Sequence, residues 1–290
     1  MARAFSLVDV FGNGALGGNP LVVVHDAEAL GDAEMLQLPR WLSVSETSFL
    51  LPPTDAGADY RVRIFTPDRE LPFAGHPTLG SAHAWLAAGG VPRLGGELVQ
   101  ECGVGLVPLR VADGLIGFAA PPLLREGPVD DADRDDVLAL LGIEGADVLD
   151  MAWADNGPGW IAVRLASAEA VLALAPARSW PRRIEGGVVG AHPAGGEVAF
   201  EIRTFFTYQA LVVREDPVTG SMSGAAAQWQ VAQGLGGGCW RAAQGQAMAH
   251  DGVVRLDARE AGRLWVSGAC RTIVQGALSG DACVLNHPAA

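Results

Sequence analysis

The chain has 290 residues, of which 38 are Gly and 18 are Pro, and 49% are hydrophobic. This length predicts one large domain or two ordinary ones with a substantial core, and the Gly and Pro content indicates many tight turns. The formal net charge of -13 argues against nucleic acid or an anionic membrane as a partner, because both are polyanions. A small anionic substrate is compatible with this charge, because helix N-termini create a local positive field.

Strand-like and helix-like segments alternate through the first half of the chain. A helix is predicted at 27–40 with Asp26 as its cap, and another from His76 to 87, ended by Gly89-Gly90. Residues 12–17 match GxGxxG, but a valine strand follows, so we expect a hairpin loop rather than a dinucleotide site. The predicted strands lie at 4–11, 19–24, 43–51, 61–65, 97–106, 105–111 and 115–120.

The second half begins after a predicted linker at 121–131. Its predicted helices lie at 134–141, at 168–175 with Ser167 as the cap, and at 221–234. Its predicted strands lie at 148–154, 160–165, 197–205, 252–256, 263–267 and 272–278. Both halves therefore combine strands with a few helices, which predicts a mixed fold.

The compartment is predicted from what the sequence lacks. No segment is long enough to cross a bilayer, and the first residues lack the apolar run of a signal peptide. The four cysteines are far apart in sequence and form no CxxC pair, which is typical of reduced thiols. We therefore expect a soluble, cytoplasmic protein. The cysteines are Cys102, Cys239, Cys270 and Cys283.

The two halves of the sequence resemble each other. In the first half, Asn19-Pro20 is followed by a valine strand and by the segment 27–30. In the second half, the segment 156–158 is followed by a strand and by the segment 168–171. The residues from 78 to 85 are echoed at 223–229. This pattern indicates a duplication that yields two similar α/β domains, although chance matching is the alternative in a chain rich in Ala and Gly. A duplication would create two comparable helix starts, at His76 and Ser221.

Four residues are candidates for chemistry. His76 lies at a helix start rich in Gly and Pro, where unpaired N–H groups favour an anion. Asp216 and Ser221 flank a second helix start, although an Asp-Pro turn and an N-cap would explain them equally well. Glu46, taken by itself, reads as a solvent-facing strand residue. The histidines show no metal-ligand spacing, so we expect no metal site.

Several motifs resemble the PhzF-like phenazine biosynthesis family. The longest is Phe65-Thr66-Pro67, followed by Glu70-Leu71-Pro72-Phe73-Ala74-Gly75-His76-Pro77. The others follow in chain order, so the resemblance covers nearly the whole sequence. They are Gly18-Asn19-Pro20, Ser45-Glu46-Thr47, Asn156-Gly157-Pro158, Glu215-Asp216-Pro217-Val218-Thr219-Gly220-Ser221 and Val266-Ser267-Gly268.

The resemblance implies an α+β fold of two pseudo-symmetric, diaminopimelate epimerase-like domains. Each domain would be a curled, mostly antiparallel sheet around a central helix, with the active site between them. We expect residues 1–122 and a returning tail at 279–290 to form the first domain, and residues 123–278 the second. The resemblance also implies a cofactor-free isomerase that is a homodimer.

The resemblance assigns roles to the candidate residues. Glu46 matches the family's acid/base glutamate, whereas His76, Asp216 and Ser221 match other site positions. Glu46 would move a proton on a small carboxylate-bearing metabolite, while the N–H groups near Gly75, His76, Gly220 and Ser221 would hold negative charge. Neither helix start carries a cysteine, which disfavours the two-thiol chemistry of racemases with this fold.

Two alternatives and one departure accompany this hypothesis. One alternative is a racemase or epimerase that uses Glu46 and Asp216 as opposed bases. The other is a non-catalytic protein of the same fold that binds metabolites or partners. The departure is Met222, because the family often has alanine there and a bulkier residue would change the pocket.

Overall fold

The computed structural model describes residues 2–93, 97–207 and 211–279. Within them the chain forms five α-helices and eighteen β-strands. The helices are α1 Asp32–Leu42, α2 Gly75–Ala87, α3 Asp131–Leu141, α4 Ala168–Leu172 and α5 Gly220–Ala232. The first nine strands are β1 Arg3–Val10, β2 Asn19–Val24, β3 Thr47–Leu51, β4 Tyr60–Phe65, β5 Glu70–Leu71, β6 Glu97–Cys102, β7 Gly105–Ala112, β8 Leu115–Ala119 and β9 Arg125–Pro128. The others are β10 Val148–Asp155, β11 Trp160–Leu165, β12 Glu185–Ala191, β13 Phe200–Thr207, β14 Val213–Asp216, β15 Cys239–Gln244, β16 Gly252–Asp257, β17 Trp265–Gly268 and β18 Cys270–Leu278.

The chain divides into two compact units. The first unit consists of Met1–Phe118 and Gly268–Ala290, and the second of Ala119–Ser267. The chain enters the first unit again at Gly268, and the whole of β18 pairs with β1. Of the predicted tail at 279–290, residues 280–290 lie outside the described residues. The predicted boundary at 122 lies four residues after the observed end of the first segment.

In the first unit the paired strands follow the order β18, β1, β2, β3, β4, β6, β7, β8, and β5 adds to β4. The pairs β2–β3 and β4–β6 are parallel, and the other pairs are antiparallel. The β1–β2 pair is a hairpin, which confirms that the GxGxxG match is a hairpin loop.

The second unit repeats this arrangement strand for strand. Its order is β9, β10, β11, β12, β13, β15, β16, β17, and β14 adds to β13. The parallel pairs, β11–β12 and β13–β15, fall at the same places as in the first unit. The duplication indicated by the sequence is therefore confirmed by the strand pairing.

Each unit has a central helix that its sheet surrounds. Helix α2 contacts β1, β2, β3, β4, β6 and β18, whereas α5 contacts β10, β11, β12 and β16. Both helices are apolar around most of their circumference, as expected for a buried helix. Gly80 permits close approach, because a Cβ there would lie 2.5 Å from Leu21 Cδ2.

Met222 faces the interior of the second unit. Its side chain is fully buried, and a Cβ on Gly187 of β12 would lie 2.3 Å from Met222 Sδ. The glycine therefore provides the space that the larger side chain occupies. Met222 therefore fills the core of the second unit.

Several predicted elements differ from the observed ones. Helix α1 begins at Asp32 rather than at 27, with Gly31 as its N-cap, whereas Asp26 has a left-handed φ of 50°. Helix α4 ends at Leu172 rather than at 175. Five strands were not predicted, namely β5, β9, β12, β14 and β15. No helix of the described residues is long and apolar enough to cross a membrane.

Candidate active site

The start of α2 is held in place by a hairpin. Strand β5 pairs with β4, and Arg63 of β4 donates two hydrogen bonds to Glu70 of β5, at 2.7 and 2.6 Å. The chain then passes through Pro72 to Ala74, the N-cap, whose extended backbone accepts the N–H of Thr78 at 3.1 Å. No side chain caps this helix start. The first N–H groups of α2 therefore have no partner within the helix and are available to a bound group.

Glu46 and His76 meet at this helix start. The Glu46 Oε2 and His76 Nε2 atoms are 3.6 Å apart, and the two side chains are 18% and 5% exposed. Glu46 directly precedes β3 rather than lying in it. The solvent-facing strand interpretation of Glu46 is therefore wrong, and this carboxylate is largely buried beside an imidazole.

Burial determines the charge of His76. Desolvation lowers the pKa of His76 to about 3, because a buried imidazolium loses its hydration. The imidazole is therefore neutral around pH 7. Within the described residues its Nε2 atom makes no hydrogen bond, so it remains available to a group that approaches Glu46.

The start of α5 is built on the same frame. Strand β14 pairs with β13, and Arg203 of β13 donates two hydrogen bonds of 2.8 Å to Glu215 of β14. The chain passes through Pro217 to the N-cap, Thr219, whose carbonyl accepts the N–H of Ser223 at 2.9 Å. Gly220 then opens the helix, as Gly75 opens α2.

A buried chain of hydrogen bonds runs through this second helix start. Thr219 Oγ1 donates to Asp216 Oδ2 at 2.6 Å, since a carboxylate can only accept. Thr204 Oγ1 lies 2.6 Å from Thr219 Oγ1 and accepts from Gln244 Nε2 at 2.9 Å. Gln244 also donates to the carbonyl of Asp216 and accepts from the N–H of Thr219, both at 2.9 Å. Asp216 is thereby held in one orientation.

Ser221, the second residue of α5, contacts a loop of the same unit. Its Oγ accepts from Trp160 Nε1 at 3.1 Å, and its carbonyl accepts from Asn156 Nδ2 at 2.9 Å. The site residues predicted from the sequence thus form two groups. Glu46, Gly75 and His76 gather at the start of α2, whereas Asp216, Gly220 and Ser221 gather at the start of α5.

The sequence predictions above do not include the residues that hold these groups in place. They are Arg63, Arg203 and the network of Thr204, Thr219 and Gln244. A signal for the arginines exists in the sequence. Both halves contain Arg-x-Phe followed by Glu-x-Pro-x-x-Gly, at 63–65 with 70–75 and at 203–205 with 215–220. The network has no comparable signal, because Gln244 lies 25 residues from Thr219.

Solved structures with this arrangement define the class of fold. A predicted epimerase from Pseudomonas aeruginosa is 26% identical, covers 95% of this chain and 99% of its own, and superposes with a TM-score of 0.78. A probable proline racemase from Agrobacterium radiobacter shares the fold, with 15% identity, coverage of 96% of this chain and 93% of its own, and a TM-score of 0.58. The chain therefore has the duplicated fold found in epimerases and racemases of this kind.

The chain belongs to the PhzC-PhzF family of phenazine biosynthesis-like proteins, whose sequence model matches residues 8–276. An uncharacterized isomerase from Pasteurella multocida is 31% identical over 91% of this chain and 90% of its own length. Trans-2,3-dihydro-3-hydroxyanthranilate isomerase from Pseudomonas fluorescens is 32% identical over 76% and 77%. Antisense-enhancing sequence 1 from Schizosaccharomyces pombe is 35% identical over 77% and 78%. The predicted family and the predicted class, an isomerase, are confirmed.

Proposed function

We propose that this protein is a cofactor-independent isomerase that moves a proton on a small, carboxylate-bearing metabolite, with Glu46 as the acid/base. Glu46 takes a proton from an activated carbon of the substrate and returns it to another carbon. The total number of protons on substrate and enzyme is unchanged after one turnover. The observation that carries the proposal is the Glu46–His76 pair at the start of α2.

The environment of His76 indicates which member of the Glu46–His76 pair acts as the base. Burial lowers the pKa of His76 to about 3, so the imidazole is neutral around pH 7 and is a poor proton acceptor. His76 consequently acts as a neutral group that orients Glu46 or the substrate, which leaves a single base in this unit.

The start of α5 is better suited to binding an anion than to removing a proton. Asp216 accepts the hydroxyl proton of Thr219 at 2.6 Å inside a buried network, so a role in orientation suits it better than proton removal. The N–H groups at the starts of α2 and α5, near Gly75 and Gly220, favour carboxylate or enolate charge. The alternative of opposed bases would require Asp216 to remove a proton while one of its oxygens accepts the hydroxyl proton of Thr219.

The name of one relative supports a first choice of substrate. Trans-2,3-dihydro-3-hydroxyanthranilate, the compound named for the relative from Pseudomonas fluorescens, is a cyclic carboxylate with an acidified ring carbon. We therefore propose this compound as the first substrate to test, followed by other small cyclic and amino carboxylates.

The decisive experiment measures proton exchange in deuterated water. The wild-type protein is expected to incorporate deuterium into the substrate at one carbon, as followed by NMR. Glu46→Gln should slow this incorporation about 100- to 10,000-fold, because it keeps the shape of the side chain and removes the base. Glu28→Gln changes an exposed glutamate of the same unit and should leave the rate unchanged.

Three outcomes would overturn this proposal. If Glu46→Gln exchanges at the wild-type rate, then Glu46 is not the base. If a single stereocentre is inverted without a shift along the carbon frame, then the protein is an epimerase. If the wild-type protein binds the panel of carboxylates but exchanges no proton on any of them, then it is a binding protein.

A further inference from the structure

The loop before β11 holds Ser221 of α5 in an unusual way. A serine within a helix can donate its hydroxyl proton to the backbone carbonyl four residues earlier. Ser223, two residues further along the same helix, does so, and its Oγ donates to the carbonyl of Thr219 at 2.8 Å. Ser221 instead receives a hydrogen bond from Trp160 Nε1 at 3.1 Å.

The direction of this bond is fixed by chemistry. An indole N–H can only donate, so Ser221 Oγ is the acceptor and its own proton is not used in the contact. Within the described residues the hydroxyl proton of Ser221 has no acceptor, and the side chain is only partly buried. The proton is therefore free to be donated to solvent or to a ligand.

The loop that leads to Trp160, the first residue of β11, is held by several hydrogen bonds. Asp155 Oδ1 accepts the N–H groups of Gly157 and Gly159, each at 2.7 Å, and both glycines have left-handed φ values of 138° and 108°. Trp160 is 3% exposed, so its ring has little room to rotate. Asn156 Nδ2 ties the loop to the helix through the carbonyl of Ser221, at 2.9 Å.

We infer that Trp160 is a positioning residue, which turns the Ser221 hydroxyl into a dedicated hydrogen-bond donor for the anionic group of the substrate. Asn156 fixes the loop at the required distance. The inference rests on the proposed function, because it assumes that the substrate carboxylate binds at the start of α5. It gives the Asn-Gly-Pro motif at 156–158 a role that the sequence did not assign.

The test measures binding rather than turnover, so that it can succeed or fail independently of the Glu46 experiment. The probes are anthranilate and anthranilamide, two compounds that differ chiefly in the charge of one group, and calorimetry measures their affinities. Ser221→Ala should weaken the binding of anthranilate about 10- to 100-fold, because a hydrogen bond to a charged group is lost. Trp160→Phe should weaken it about 3- to 10-fold, because the hydroxyl remains but is no longer oriented.

A double variant separates positioning from mere packing. In the Ser221→Ala background, Trp160→Phe should cause no further loss, since the two residues act through one hydroxyl. Both variants should leave the binding of anthranilamide within about twofold of the wild type. The matched control is Trp265→Phe, which removes an indole hydrogen bond of the same length, 3.1 Å to Glu260, and should change neither affinity.

The opposite results would overturn the inference. One is that Trp160→Phe binds anthranilate with the affinity of the wild type. Another is that the losses of affinity from Ser221→Ala and Trp160→Phe add up in the double variant. The third is that the wild-type protein does not prefer anthranilate to anthranilamide. If Trp160→Phe does not fold, then benzothienylalanine at position 160 keeps the ring shape without the N–H, and the same outcomes apply to it. Absent proton exchange together with the expected binding pattern would reject the proposed isomerase activity and leave the role of Trp160 standing.

Discussion

The two central helices begin on the same frame but present different chemistry. In each unit an arginine, Arg63 or Arg203, donates hydrogen bonds to the glutamate of Glu-x-Pro-x-x-Gly. The Cζ atom of that arginine lies 5.0 Å from the ring centre of a phenylalanine, Phe65 or Phe205. The positions that differ are those nearest the helix start. Leu71, Ala74 and His76 in the first unit correspond to Asp216, Thr219 and Ser221 in the second. The two helix starts therefore share a frame and differ in the side chains that they present.

The frame also differs in how deeply it is buried. Arg203 and Glu215 are 5% and 14% exposed, and Arg203 Nη1 also donates to the carbonyls of Val171 and Leu174 at the end of α4. Arg63 and Glu70 are 25% and 42% exposed, and Arg63 Nη1 reaches Asp32 at the start of α1. The same pair therefore contributes differently to the stability of its unit.

The largest expected effect comes from breaking the buried pair. Arg203→Met should lower the free energy of unfolding by about 3–5 kcal/mol, because Glu215 and the carbonyls at the end of α4 lose their partner. Urea unfolding followed by circular dichroism measures it. Arg203→Met combined with Glu215→Leu should recover part of the loss, since no buried charge is then left unpaired. A single variant within 1 kcal/mol of the wild type would contradict this expectation.

The next effect concerns the third residue of each helix, Pro77 in α2 and Met222 in α5. Met222→Ala should cost about 2–5 kcal/mol, because it empties a fully buried position. Gly187→Ala should cost about 1–3 kcal/mol, because the new methyl group collides with the sulfur of Met222. If the Met222 side chain and the new methyl group at position 187 compete for one space, the double variant should lose less free energy of unfolding than the two single variants together. Additive losses would show that they do not compete.

Some elements of the fold could be predicted from the sequence and others could not. The duplication, the hairpin and the two helix starts could be predicted, because each has a local signal in Gly, Pro and strand patterning. Strand β12 could not, because Glu-Gly-Gly-Val-Val-Gly-Ala at 185–191 has poor strand propensity. Its pairing with β11 and β13, and the need for Gly187 beneath Met222, are tertiary effects.

The candidate site was predictable to a similar degree. Glu46 required a resemblance to a family, because nothing in Ser45-Glu46-Thr47 tells a buried carboxylate from an exposed one. His76 was evident from the helix start, but its neutrality depends on burial that only the fold provides. Thr204 and Gln244 are distant in sequence from Thr219, so only the strand pairing brings them together.

A smaller effect distinguishes the two helix starts by pH. The pKa of His76 is lowered from 6.5 to about 3 in the folded protein, so the unfolded chain binds a proton that the folded chain does not. Stability therefore falls as the pH decreases from 6.5 towards 3, by at most about 1.4 kcal/mol per pH unit. His76→Gln lacks the imidazole and with it this pH-dependent contribution to stability. Its curve of unfolding free energy against pH should therefore be flatter than that of the wild type below pH 6.5.

The counterpart at the other helix start serves as the control. Ser221→Ala removes no ionisable group, so its curve should run parallel to that of the wild type from pH 7.5 to pH 4.5. Urea midpoints at three pH values are sufficient for the comparison. Parallel curves for His76→Gln and the wild type would mean that the imidazole is accessible to protons in the folded state.

The smallest effect is expected where the frame is exposed. Arg63→Met should lower the free energy of unfolding by about 1 kcal/mol or less, because its ion pairs with Glu70 and Asp32 are partly solvated. Raising the salt concentration should narrow the difference between variant and wild type, which it should not do for Arg203→Met. If Arg63→Met instead costs as much as Arg203→Met, then solvation does not determine the strength of the pair. The shared geometry, two parallel hydrogen bonds from arginine to glutamate, would then be what stabilises both helix starts.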